Sequence, residues 1–95
     1  MYAAIRKYQV SDVDTLVKKV EDEFVETVKT VDGFVGYYVI DGADGTATSV
    51  TVGETEEAVE ESTRRAADWV SESAADVIEG PPDVSAGEVR VRVER

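Results

Sequence analysis

Ninety-five residues carry 21 acidic side chains against 10 basic ones, a net charge of −11, with no cysteine and no histidine. A chain of this length holds one hydrophobic core without a wide margin. The missing cysteines exclude disulfides, thiolate nucleophiles and thiolate metal sites, and the missing histidines remove the commonest general base and the commonest transition-metal ligand.

Tyr2 to Tyr8 reads as a strand whose two phases are Ala3, Ile5, Lys7 and Tyr2, Ala4, Arg6, Tyr8. Ser11 is placed to open a helix, with Asp14 three residues on in a capping-box arrangement. Val13, Leu16, Val17, Val20, Phe24, Val28 and Val31 then recur at three- and four-residue steps, the signature of an amphipathic helix. Asp32-Gly33 ends it, glycine being the natural left-handed cap.

Phe34 to Ile40 is rich in β-branched and aromatic residues and reads as a strand apolar on both faces: Phe34, Tyr38 and Ile40 on one, Val35, Tyr37 and Val39 on the other. A strand of that kind is covered on both sides. Asp41-Gly42-Ala43-Asp44-Gly45 is a turn, and Thr46 to Val52 returns as the second arm of a hairpin with Val50 and Val52 on one phase. Asp41 and Asp44 lack the spacing of a calcium loop, and no metal site is expected.

Glu54 to Glu61 contains five Glu in eight residues, with Thr55 as the N-cap. A solvated helix start that favours negative charge explains this run. The same helix carries the only tryptophan. At about 100° per residue, Ala58, Val59, Ser62, Ala66, Trp69, Val70, Ser73 and Val77 share one side, with Arg65 at its edge. One reading makes Trp69 core filler and has Glu61 hold Arg65 a turn away. The other brings guanidinium, hydroxyl and indole together at the rim of a pocket. Gly80-Pro81-Pro82 stops the helix. Glu88–Glu94, with Val89, Val91 and Val93 alternating against Arg90, Arg92 and Glu94, reads as the last strand.

Strand, helix, strand, turn, strand, helix, strand predicts an α+β ferredoxin-like βαββαβ fold over a single domain, residues 1–95: a four-stranded antiparallel sheet with two helices on one face. The other face of the second strand then needs a cover, and a homodimer through the open sheet face supplies it. Arg6, Arg90 and Arg92 would either form a cationic patch on that face, a second candidate site, or balance acids across the dimer.

Four Lys in the whole chain, and 18 Val and 10 Ala against one Leu and three Ile, add scarce lysine and small apolar side chains to the acidic surface. Together they suggest a cytosol crowded with salt, where a Debye length of about 3 Å at molar ionic strength silences carboxylate repulsion. The regular apolar periodicity argues against disorder. No apolar run approaches the roughly 20 residues of a membrane span, and Met1 to Arg6 is no signal peptide, so a cytoplasmic location is expected. Nucleic acid, which needs clustered Lys and Arg, is not an expected partner.

Gly33-Phe34-Val35-Gly36-Tyr37-Tyr38-Val39-Ile40, Asp44-Gly45-Thr46 and Glu61 to Val70, ending in Trp69-Val70, resemble the antibiotic biosynthesis monooxygenase-like group of the dimeric α+β barrel superfamily. That resemblance implies a dimeric barrel and a cofactor-free enzyme that oxygenates a small aromatic or carbonyl compound held between sheet and helices. Relatives degrade haem or isomerise lactones, and the lack of histidine departs from the haem-degrading branch. On this reading Trp69 stacks on the ligand, Arg65 holds an enolate or phenolate, Ser62 adds a hydrogen bond and Tyr37 or Tyr38 orients it. Strand phase leaves the choice of tyrosine open, and no residue stands out as a catalytic base. The alternative is a non-catalytic dimeric module that binds a small molecule or a protein.

Overall fold

A computed structural model describes all residues from Met1 to Arg95. Its strands are β1 (Tyr2–Gln9), β2 (Phe34–Asp41), β3 (Thr46–Gly53) and β4 (Asp83–Glu88), in the order β2-β3-β1-β4 with every neighbouring pair antiparallel. The helices are α1 (Val13–Lys19), continued through a π-helical turn (Val20–Phe24) into α2 (Val25–Lys29), and α3 (Glu56–Trp69), continued by a second π turn (Val70–Ala74). Both helical stretches lie on one face of the sheet, the expected ferredoxin-like arrangement.

The barrel part of the expectation fails. β2 and β4 are the two edges of the sheet and do not pair, so the sheet stays open. Four strands with helices on one side leave two unpaired edges within the chain.

The π turns follow from the spacing of the buried residues. Leu16, Val20, Phe24 and Val28 are all buried and recur at intervals of four. In an unbroken α-helix each such step over-rotates by about 40°, so Val28 would lie roughly 120° from Leu16. One extra residue in the π turn sets the helix back and returns Phe24 and Val28 to the core face.

Several boundaries move from their sequence-based positions. Ser11 is not the first cap, because its N–H and hydroxyl both go to the Val77 carbonyl. Asp12 caps instead, accepting the Thr15 N–H at 3.1 Å. Thr55 caps α3 as expected, accepting from the Ala58 N–H, and Gly33 ends the first helix at φ 83°. The helical part of the second stretch ends at Ala74, before Gly80, and Ile78 forms a bridge to Val10.

Two strand assignments change. A bulge at Val35 shifts the register between Phe34 and Gly36, so Phe34 joins Tyr37 and Val39 on the helix side. The last strand is Asp83–Glu88, not Glu88–Glu94. Pairing with β1 starts directly after Pro82 and reaches Tyr2 opposite Glu88, and a Val89 N–H to Met1 carbonyl bond closes the ladder. Beyond it the tail has no partner strand, and Val91 and Val93 are 82% and 89% exposed.

On the helix side β1 presents Ala4, Arg6 and Tyr8, and β3 presents Ala47, Ser49, Thr51 and Gly53, all of them buried. On the open side Tyr38, Val50 and Ile5 form one cross-strand row. Arg6 is therefore not on the open face, and the expected patch with Arg90 and Arg92 does not form. Gly53 lets α3 approach: a Cβ there would lie 2.8 Å from the Ala58 Cβ. Gly53→Ala should lower stability by about 1–3 kcal/mol, the usual cost of overpacking, read from the urea unfolding midpoint.

Candidate functional site

Arg6 lies in the middle of β1 and is 1% exposed. Its Nε donates to Ser49 Oγ at 3.0 Å and its Nη2 to Thr51 Oγ1 at 2.8 Å, both on the neighbouring strand β3. Its Nη1 donates to Thr63 Oγ1 at 2.9 Å, on α3 above the sheet. None of the chain's ion pairs involves it. Taking a charge out of water costs several kcal/mol even after relaxation, and neutral hydroxyls return only part of that. The result is a fixed positive charge beneath the helices of an acidic protein.

Two phenols adjoin it. Tyr8 follows Arg6 on the same phase of β1, and Tyr37 reaches the helix side from β2. Burial pushes the Tyr37 hydroxyl up to about 12, and the positive charge of Arg6 offsets this only in part. Burial raises Tyr8 as well, against the same opposing charge. At neutral pH both are O–H donors, not bases.

An aromatic cluster continues from Tyr37. Its ring meets Phe24 at 5.6 Å, and Phe24 meets Trp69 at 5.4 Å, both tilted. The Trp69 indole N–H donates to Glu23 at 3.0 Å, which fixes the ring at the edge of the core. Between these rings and Leu16, Ala66 and Ile78 lies an apolar chamber with only ≈ 20 Å³ of free space. That is room for about one water. A larger cleft of ≈ 220 Å³ opens above Arg6 and Tyr8, between α3 and Gly80-Pro81-Pro82.

The sequence-predicted residues are distributed as follows. Trp69 and Tyr37 share the chamber. Tyr38 points to the open face and is 60% exposed. Ser62 is buried and donates back to the Val59 carbonyl at 2.9 Å. Arg65 bonds Glu61 at 2.7 Å and reaches Thr30 Oγ1 at 2.8 Å and the Thr27 carbonyl at 3.3 Å, strapping α3 to the end of α2. The Asp41 and Asp44 carboxylates accept backbone N–H bonds within their turn. No group of three acidic side chains is close enough together to hold a metal ion.

Sequence reading placed Arg6 on the open face, and did not single out Tyr8, Ser49, Thr51 or Thr63. The available signal was the phase of β1 that joins Arg6 to Ala4 and Tyr8, facing two hydroxyls on the phase of β3 opposite Val50 and Val52.

No family model matches the chain, and no curated protein does. Solved structures do. The ActVA-Orf6 monooxygenase of Streptomyces coelicolor, in complex with Nanaomycin D, superposes with a TM-score of 0.79 at 20% identity, over 99% of this chain and 91% of that one. The fold is that of the antibiotic biosynthesis monooxygenase-like proteins. The cofactor-independent oxygenase SnoaB of Streptomyces nogalater superposes at 0.72 with 10% identity, over 99% and 97% of the two chains. Protein Atu4242 of Agrobacterium tumefaciens gives 0.66 at 25% identity, over 95% of each. Identities this low carry the monooxygenase-like fold and not its chemistry.

The raised hydroxyls give a pH test. A group that stays protonated in the fold adds stability that is complete below its unfolded value near 10 and is lost as pH rises through its folded value. For Tyr37 the window is pH 10 to 12. Its share should be about 2–3 kcal/mol, and Tyr37→Phe should remove that part of the alkaline loss in urea midpoints measured against pH.

Proposed function

We propose that this chain is a small-molecule-binding protein that acts as a cofactor-independent monooxygenase or isomerase on a small aromatic or carbonyl compound. The observation that supports it is the Tyr37–Phe24–Trp69 cluster between sheet and helices, in a fold shared with oxygenases. On this reading Trp69 swings away from Phe24 to stack on a substrate ring, and the Tyr37 hydroxyl donates to its oxygen. A donor set of this kind favours the electron-rich phenolate or enolate over the neutral form. Arg65 and Ser62 keep the helix in place behind the ring. The second reading, a non-catalytic binding module, is favoured by how nearly full the chamber is, since a ligand enters only if the rings move apart.

Oxygen uptake separates the two. The first reading expects uptake with a phenol or hydroquinone and no added cofactor, falling about three- to tenfold in Trp69→Phe, the worth of one aromatic contact. A folded sample that consumes no oxygen across a broad phenol panel leaves the module.

A homodimer through the open sheet face belongs to the same proposal. Ile5, Tyr38 and Ile40 are 44%, 60% and 53% exposed there, and Val50 and Val52 join them across the strands. Little of the chain's charge falls on this face: Lys7 stands opposite Asp83 at one end of it. A second copy of the same patch is a self-complementary cover. No helix of the structure is long and apolar enough to cross a membrane, and a salt-rich cytoplasm is the setting we propose for so acidic a surface. Light scattering in concentrated KCl should return two chains, and one for Tyr38→Asp. Melting should fall on transfer to dilute buffer. One chain per particle for the unaltered protein, or a melting temperature indifferent to salt, would contradict the corresponding part.

A further inference from the structure

We propose that the cleft above Arg6 is an anion-binding site that takes the carboxylate of a small, single-ring organic acid. The inference rests on the proposed ligand-binding role of the space between helices and sheet, and not on any catalysis there.

Arg6 supplies the charge. A guanidinium offers five N–H donors, and Ser49, Thr51 and Thr63 engage three of them. Two remain, one on each terminal nitrogen, and the hydroxyls of Tyr8 and Tyr37 lie against the same guanidinium, so a carboxylate at the cleft floor shares this charge with Tyr8. Those three acceptors sit on β3 and α3, so the guanidinium is held before any ligand arrives, and little side-chain freedom is lost on binding. Were stability the only end served, an apolar side chain of similar volume would do as well or better than a buried charge without a counter-ion.

The walls supply the selection. Among 21 acidic side chains in the sequence, none lines this cleft. Its mouth is built from Thr63, Ala67, Ser71, Pro81 and Val84, and Arg6 is its only charged residue. The open trough beside the start of α3 is the reverse, with Asp32, Glu54, Glu57, Glu60 and Glu61 on its walls. A cation is drawn to the trough. An anion, repelled by most of the surface, finds here an entrance free of carboxylates with a fixed positive charge at its floor. The cleft's ≈ 220 Å³ falls below the roughly 300–1,000 Å³ of sites for drug-sized ligands, which limits the acid to about one ring. Tyr8 lines the same floor and adds a neutral O–H donor.

Calorimetry with benzoate and its neutral counterpart benzamide tests this on the intact protein. Benzoate should bind, and benzamide about 10- to 100-fold more weakly, the loss expected when hydrogen bonds to a charge are removed. Arg6→Met should abolish the preference for benzoate. Ala67→Trp, at an exposed position on the cleft wall, should block benzoate while circular dichroism shows an unchanged fold, so the test survives if Arg6→Met fails to fold. Equal binding of the two compounds, no binding of benzoate, or full benzoate binding by Ala67→Trp would each overturn the site. Benzoate has no phenolic hydroxyl to oxygenate. Benzoate binding without oxygen uptake from phenols therefore removes the enzyme reading and leaves this one, and uptake without benzoate binding does the opposite.

Discussion

The guanidinium of Arg6, held by three hydroxyls under the helices, is the constraint around which the interior is arranged. Desolvating that charge is tolerable only where acceptors are already in place on both sides of it. This explains why the helix side of β3 carries Ser49 and Thr51, where large apolar residues would be expected. Small side chains leave the depth the arginine needs, and hydroxyls meet its N–H groups. Thr63 supplies the third acceptor from α3, so the contact also sets how α3 sits over the centre of the sheet.

The apolar core is displaced as a result. With the middle of the sheet given to a charge, the large apolar side chains gather to one side: Phe24, Leu16, Val20 and Val28 from the first helix, against buried Ile78 and half-buried Tyr37 and Trp69. The chain's shortage of leucine and isoleucine fits this division, since one half of the interior is built from Ala, Ser, Thr and Gly. Aromatic rings and buried charge meet at Tyr8 and Tyr37, whose hydroxyls face the arginine while their rings close the apolar side. The fold thereby juxtaposes an apolar chamber and a cleft with a cation at its floor.

Much of this architecture could be read from the sequence, and its failures have definite causes. Both helices, the left-handed Gly33 and the Thr55 cap follow from local rules that tertiary contacts did not override. Ser11 lost its cap because Val77, distant in sequence, claimed its N–H and hydroxyl. Phe34 changed faces because a one-residue bulge inverts a strand's alternation, and alternation is the only guide that sequence provides. The last strand was misplaced because Val89 to Glu94 has the better strand composition, whereas the length of β1 decides which residues find a partner. In the site, Trp69 was legible as an aromatic residue on an apolar face, whereas strand phase left Tyr37 and Tyr38 as equal candidates. Arg6 was not, because a charged residue on a strand is ordinarily assigned to solvent. Only the register with Ser49 and Thr51 reveals that it is buried.

The two π turns bear on how the chain can change length. Each is an α-helix with one residue too many, and Glu21, Asp22 and Glu23 in the first are exposed. Loss of one of them would turn the four-residue interval between Val20 and Phe24 into three. That is an ordinary α-helical step, and the same side chains would still face the sheet. Elsewhere in these helices a lost residue would swing every later side chain by about 100°. Homologous chains that differ by one residue in helix length should therefore place the difference at these turns, with the sheet and Arg6 left where they are.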